Sequence, residues 1–300
     1  MLNDVDFFPG KRHQQSVIKT SSAFWVCTLY TTHFIQKICS SQMILAAIFS
    51  KLDLWFNRLL KVMQIGHRGL WLGLLDRDKL QRVTEMRYGS WDTYLSQSHN
   101  EAGLTSWEEG AIEEFYAACH SLLITSAGAG CEVVSLSRRG YQVVAFDCVE
   151  PLVKRGRQIL AEAGIAAELL TAEADKVPPG LDHFDGLIIG WGGYMHIVGR
   201  KRRIAFLEAL HEHVEMGAPL LLSFFTRPPS SKYFTAIAVI ANFLRRLRRR
   251  QELVEVGDHL YGLFNHYFIK EEIEAELAEA GFELVRYRTT PYGHAVGRAL

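Results

Sequence analysis

Four small residues, Ala127-Gly128-Ala129-Gly130, follow a short apolar run at 122–125, and an aspartate, Asp147, ends the next β-rich run at 141–146. Glycine admits backbone angles and a closeness of ligand approach that a Cβ would block. A carboxylate at the end of a strand can accept both hydroxyls of a ribose. The pair therefore points to an adenosine-containing ligand held beyond the carboxyl ends of parallel strands, where strand order reverses. A dinucleotide loop, G-x-G-x-x-G, would place a third glycine where this chain has Val133, and there is no G-x-x-x-x-G-K-[ST] phosphate loop. The ligand implied is an adenosine without pyrophosphate.

Several ordered motifs extend this reading. Leu122-Leu123-Ile124-Thr125-Ser126-Ala127-Gly128-Ala129-Gly130 resembles the first motif of the class I S-adenosylmethionine-dependent methyltransferases. That motif runs apolar, apolar, acidic, apolar, then Gly-x-Gly-x-Gly. Tyr141–Asp147 is similar to the family's second strand and ribose-binding acid, with Cys148 beside it. Ala172-Glu173-Ala174-Asp175-Lys176-Val177-Pro178 resembles its G-D-A-x-x-L-P stretch, in which Glu173, next to Ala174, would meet the adenine amino group. Phe184-Asp185-Gly186-Leu187-Ile188-Ile189-Gly190-Trp191 matches the fourth strand, whose end at Gly190 and Trp191 runs under the methionine part of the cofactor. The resemblance covers about residues 119–300. Two positions depart from it: the motif acid is Ile124 here and the first glycine is Ser126. The cofactor implied is S-adenosylmethionine, held by Ser126, Ala127, Gly128 and Gly130 in the loop and by the ribose, adenine and methionine contacts just named.

Methyl transfer asks little of the protein beyond aligning a nucleophile, because the donor is already activated. A general base helps when the acceptor is a hydroxyl or a protonated amine. The resemblance puts the acceptor pocket near Tyr194 and His196, near His266 and Tyr267, and near Tyr292 and His294. Histidine titrates close to neutral pH and is the natural base, so His196, His266, His294 and Tyr194 are the catalytic candidates. Trp91 and Trp191 suit pocket walls or core, and Tyr88 and Tyr94 suit a lid. The expected reaction is methylation of an oxygen or nitrogen of a small-molecule acceptor.

The elements that must position these residues can be read from periodicity. From residue 121 short apolar runs alternate with helical stretches, and glycines punctuate the helix ends at Gly140, Gly164 and Gly281. The fold class is α/β, a doubly wound, mostly parallel seven-stranded sheet of Rossmann-like methyltransferase type with an N-terminal helical extension. The last two strands, 282–288 and 294–299, form a closing hairpin. Thr105 and Glu108 make a capping box for a helix reaching about residue 120. The expected divisions are 1–66, an apolar and amphipathic helical extension; 67–120, a helical layer; and 121–300, the cofactor-binding domain, with a helical insertion at 230–250.

Lys+Arg and Asp+Glu balance at 33 each, so global charge gives no case for a nucleic-acid partner. The five cysteines are scattered, with no C-x-x-C pair, which argues against a disulfide framework and against a structural zinc site; no metal ligands are assigned. A reduced, cytoplasmic chain follows, and residues 1–20 read as a frayed lead-in. The apolar stretch from residue 20 to 50 is too interrupted for a spanning helix. At 42–64 polar residues recur every three or four positions opposite a broad apolar side, an amphipathic helix that Gly66 should stop. Its apolar face suits packing on protein or contact with a membrane surface. The apolar run 233–244 leads into Arg245-Arg246-Leu247-Arg248-Arg249-Arg250. It suits a helix over the acceptor pocket with its arginines in solvent, a membrane-surface helix, or an RNA-binding stripe. Three further functions fit the same residues: a membrane-associated methyltransferase with a lipid or quinone-like acceptor, a nucleotide-binding oxidoreductase, and a cofactor-binding protein without catalysis.

Overall fold

The computed structural model describes the backbone of residues 23–300 and the side chains from residue 43 onward. The lead-in expected at 1–20 lies outside the described residues. The chain divides into two compact units, Met1–Lys61 and Val62–Leu300. A single helix, α1 (Ala23–Leu74), runs across the division. Four shorter helices follow: α2 (Arg77–Gly89), α3 (Asp92–Leu95), α4 (Gln97–Asn100) and α5 (Ser106–Phe115). The capping box of α5 forms as its sequence predicts. Glu108 accepts from the backbone N–H of Thr105 at 2.7 Å and from its hydroxyl at 2.6 Å.

The alternating part begins with β1 (Ser121–Thr125), α6 (Cys131–Arg138), β2 (Gln142–Asp147), α7 (Glu150–Glu162), β3 (Glu168–Thr171) and β4 (Gly186–Ile189). It continues through α8 (Gly193–His196), α9 (Arg200–His211), β5 (Pro219–Thr226), α10 (Lys232–Leu247), β6 (Asp258–Leu260) and β7 (Phe264–Phe268). It closes with α11 (Lys270–Glu279), β8 (Phe282–Arg288) and β9 (Gly293–Ala299). Strands β3, β2, β1, β4 and β5 pair in parallel in that order. β9 runs antiparallel beside β5, and β8 pairs antiparallel with β9. This is the doubly wound, mostly parallel seven-stranded sheet expected from the sequence.

Leu122, Leu123 and Ile124 of β1 are wholly buried. A central strand covered on both faces reads as a continuous apolar run, and each such side chain contributes about 1.5–3 kcal/mol on leaving water. The chain winds from β1 outward through β2 to β3, then returns to the other side of β1 with β4. Strand order reverses there, and a crevice opens beyond the carboxyl ends of β1, β2 and β4.

Three features differ from expectation. The first is a hairpin, β6 and β7, inside the stretch read as an insertion. β7 adds in parallel to the last two residues of β5, Phe225 and Thr226. The second is the end of α1, which does not stop at Gly66. A glycine inside a helix weakens it without ending it. A Cβ on Gly69 would lie 2.8 Å from Ile240, and one on Gly73 2.8 Å from Leu244, so these glycines let α1 lie close against α10.

The third concerns the arginine run. Arg245 is buried. Its guanidinium donates to the carbonyl oxygens of Leu72 and Leu75, both at 3.1 Å, and of Glu252 at 2.9 Å. Arg248 donates to Leu74 O at 2.5 Å. The last carbonyls of a helix have no partner within it, and these two side chains supply one for α1. The run begins as a helix cap rather than as a row of solvated charges.

Candidate functional site

A cavity of about 480 Å³ occupies the crevice at the switch point. That is within the ordinary range for a small-molecule site, roughly 300–1,000 Å³. Its floor is the loop after β1. Ser126 (φ 53°), Gly128 (φ 56°) and Gly130 (φ 94°) all take left-handed backbone angles, turning the chain sharply into α6. Asp147 fixes this turn. It is buried, one carboxylate oxygen accepts from Gly128 N at 2.8 Å, and the other accepts from Val149 N at 2.7 Å. Burial raises its pKa, and those two N–H donors oppose the rise. A carboxylate has about four acceptor positions, so acceptor capacity remains for a ligand in the cavity that Asp147 lines.

Ser126, Ala127, Gly128, Cys148, Ala174 and Trp191 line the same cavity. Gly130 and Gly190 support it from behind. A Cβ on Gly190 would collide with the carbonyl of Ser126, so only glycine there lets the end of β4 press against the loop. Glu173 is a correction: its side chain is 68% exposed and pairs with Lys176 at 2.7 Å, outside the lining. Solvent offers that carboxylate more than the cavity edge does.

Two buried carboxyls were not anticipated. Glu132, in the first turn of α6, lines the cavity and accepts from Trp191 N at 3.4 Å. Burial, reinforced by nearby Glu108, pushes its carboxyl up to about 7. Glu108 also lines the cavity while it caps α5. Two buried carboxyls facing one space are best satisfied by a cation. The facing wall is likewise new. It comes from Gln81, Thr84, Glu85, Tyr88, Tyr94 and the residues around His99, all on the helices before the sheet. The aromatic residues at 88–94 were its only trace in the sequence. The helix at 230–250, expected over the pocket, contributes no lining residue; α10 packs on α1 instead.

Of the catalytic candidates, His196 reaches the cavity. Its Nδ1 lies 2.7 Å from Phe264 O, and its Nε2 lies 2.9 Å from the Tyr88 hydroxyl. A carbonyl oxygen only accepts, so the neutral ring carries its proton on Nδ1, and Nε2 accepts from Tyr88. Burial pulls the His196 pKa down to about 4, and it raises that of Tyr88.

The other three candidates are corrections. Tyr194 points to the opposite side of the short helix α8, into the core. There it donates to Glu276 at 2.5 Å and stacks on Phe268. His266, in β7, meets Asp258 at 2.7 Å inside a buried ion network. In that network Arg203 pairs with Glu255 and Glu276, and Arg227 with Glu272. Burial and Arg203 press the His266 pKa down, and the carboxylates of Asp258 and Glu272 outweigh them and raise it. Glu255, Asp258 and His266 are the one group among the described residues whose atoms could converge on a metal. The guanidinium of Arg203, 2.8 Å from Glu255, already supplies the positive charge there. His294 packs against Trp107 with ring centres 4.8 Å apart, its Nδ1 is directed to Tyr292 O, and it does not line the cavity. Its neighbour Tyr292 does, whereas Tyr267 packs with Phe225 and Phe234.

No protein-family model and no curated protein matches the chain. Solved structures do. A SAM-dependent methyltransferase from Methanosarcina mazei is 18% identical with a TM-score of 0.51, over 66% of this chain and 99% of that one. An amino pentose methyltransferase from Micromonospora echinaspora is 16% identical with a TM-score of 0.48, over 65% and 92%. The first of these shares the fold of this chain. The chain has the fold of the class I S-adenosylmethionine-dependent methyltransferases.

Proposed function

We propose that the chain binds S-adenosylmethionine in this cavity and transfers its methyl group to an oxygen or nitrogen of a small-molecule acceptor. The observation that carries this reading is Asp147, buried at the cavity floor, tied to the glycine loop and left with acceptor capacity facing inward. The residues fit the cofactor. Asp147 would accept the ribose hydroxyls, Cys148 and Ala174 would hold the adenine, and the Glu132–Glu108 pair would meet the ammonium group. A carboxylate is missing at Ile124, and Glu132 supplies one from the next helix. When bound, the cofactor supplies a methyl group already activated on a sulfonium.

The protein's remaining work is on the acceptor. Tyr88, Tyr94, Trp191 and Tyr292 give the cavity aromatic walls that suit a compact organic acceptor. The Tyr88 hydroxyl donates to His196, so its own lone pairs are open to an O–H or N–H of the acceptor. The acceptor's proton would pass to the Tyr88 oxygen and the Tyr88 proton to Nε2 of His196, whose ring burial otherwise holds neutral. Tyr88 thus acts on the substrate and His196 acts behind it.

Calorimetric titration with S-adenosylhomocysteine and with NADH tests the cofactor assignment. Tight binding of the first and none of the second is expected, and the reverse would replace a methyltransferase with an oxidoreductase. Transfer of labelled methyl groups into a small-molecule extract tests the activity; binding without any transfer would leave a non-catalytic protein.

A further inference from the structure

The described part of the first unit is a helix with a broad, exposed apolar face. At about 100° per residue, Ile44, Ile48, Phe49, Leu52, Trp55 and Phe56 fall with Leu45, Leu59 and Leu60 on one arc of about 160°. Phe49 is 71% exposed, Leu52 60% and Trp55 62%. The opposite arc carries Ser50, Lys51, Asp53, Asn57, Arg58 and Lys61, together with Met43, Ala46, Ala47 and Leu54. A two-stranded coiled-coil seam needs only a narrow stripe. This face is twice as rich, continuous for more than four turns, and includes a tryptophan and two phenylalanines.

The charges indicate the occupant. Lys51 and Arg58 lie along one border of the apolar arc, next to Ile44 and Trp55, and Asp53 is the one acid of the segment 43–61. A wide apolar face bordered by cations and carrying aromatic residues complements the boundary between acyl chains and anionic headgroups. No helix among the described residues is long and apolar enough to cross a membrane, so the helix would lie in the surface.

We propose that residues 43–61 dock flat on an anionic lipid surface and bring the enzyme to it. The inference stands on this helix and not on the methyltransferase reading.

The test is co-sedimentation of the full-length chain with phosphatidylcholine vesicles, with and without phosphatidylglycerol. Two variants accompany it, Leu52→Glu/Leu59→Glu on the apolar arc and Lys51→Glu/Arg58→Glu on its border. Strong binding to the phosphatidylglycerol vesicles at low salt is expected, with weakening as salt rises and weak binding without the anionic lipid. Each variant should lose about tenfold or more in vesicle affinity. Both should keep the circular-dichroism spectrum and thermal unfolding midpoint of the parent chain, which separates lost docking from lost folding. No binding to anionic vesicles at low salt would overturn the proposal. So would equal binding by the Leu52→Glu/Leu59→Glu variant. A stable dimer that this variant converts to monomer, without vesicle binding by the parent, would assign the face to a second copy instead.

Discussion

The hydroxyl of Tyr88 and Nε2 of His196 meet at 2.9 Å in the wall of the cavity, one from the helices before the sheet and the other from the short helix after β4. The bond between His196 Nδ1 and Phe264 O fixes which ring nitrogen is free to accept. On the proposed reading, Tyr88→Phe removes the hydroxyl that would relay a proton from the acceptor to the imidazole. Steady-state kinetics should show kcat reduced by about 10²-fold or more, the usual scale for a lost acid–base group. Cofactor affinity should change little. His196→Gln should lower kcat in the same way. A Tyr88→Phe enzyme with full kcat would confine the pair to holding the wall in place.

Asp147 should govern the cofactor and not the acceptor. Asp147→Ala removes charge-assisted ribose bonds worth about 1.5–3 kcal/mol, so S-adenosylhomocysteine should bind at least about tenfold more weakly by calorimetry. Asp147→Asn keeps the shape and should fall between the two. Unchanged affinity in the alanine variant would place the ribose elsewhere.

Glu132 gives cofactor binding a pH dependence with a definite sign. Its carboxyl is raised to about 7 from an ordinary 4.5. Between those values the folded chain holds a proton that the unfolded chain has lost, so this group's contribution to stability falls as pH rises through that window. A ligand ammonium group placed against Glu132 would favour the ionised carboxylate. Affinity for S-adenosylhomocysteine should therefore rise as pH passes through about 7, with a proton released on binding. Calorimetry in two buffers of different ionisation enthalpy reads that proton directly. Glu132→Gln should bind more weakly and show neither the rise nor the release.

Ser126 occupies a left-handed conformation at φ 53°, where a residue with a Cβ is strained by about 1–2 kcal/mol. Ser126→Gly relieves the strain but frees the unfolded chain, an offset of about 0.4–1 kcal/mol. A net gain of about 0.5–1 kcal/mol in urea unfolding is expected.

Arg245→Met should destabilise the protein by about 2–3 kcal/mol, because the carbonyls of Leu72 and Leu75 would stay buried without a donor. Denaturant unfolding measures this. An arginine whose role was contact with nucleic acid would leave stability unchanged.

The central strands were legible because β1 and β4 are buried apolar runs closed by small residues or glycine, and β2 is a largely buried run that ends in an acid. β6 and β7 were not, since they are short and include His259, Asn265 and His266, whose burial depends on partners distant in sequence. Gly66 read as a helix stop because composition alone does not show that Gly69 and Gly73 face another helix. At the site, the loop and Asp147 follow from local spacing. Tyr194 and His196 sit two residues apart on one turn and point opposite ways, which residue type does not reveal. Glu132 and the wall from Gln81 to Glu108 depend on tertiary packing across the sheet edge and left no periodic signal.

The cavity is divided by chain segment. One side is the strand ends that the whole sheet depends on; the other is a single contiguous stretch, residues 81–108, together with Tyr292. On the proposed reading, acceptor selectivity would rest largely on residues 81–105, together with Trp191 and Tyr292. A graft of residues 81–105 between proteins of this fold would leave Asp147, the glycine loop and Glu108 in place and should shift substrate preference.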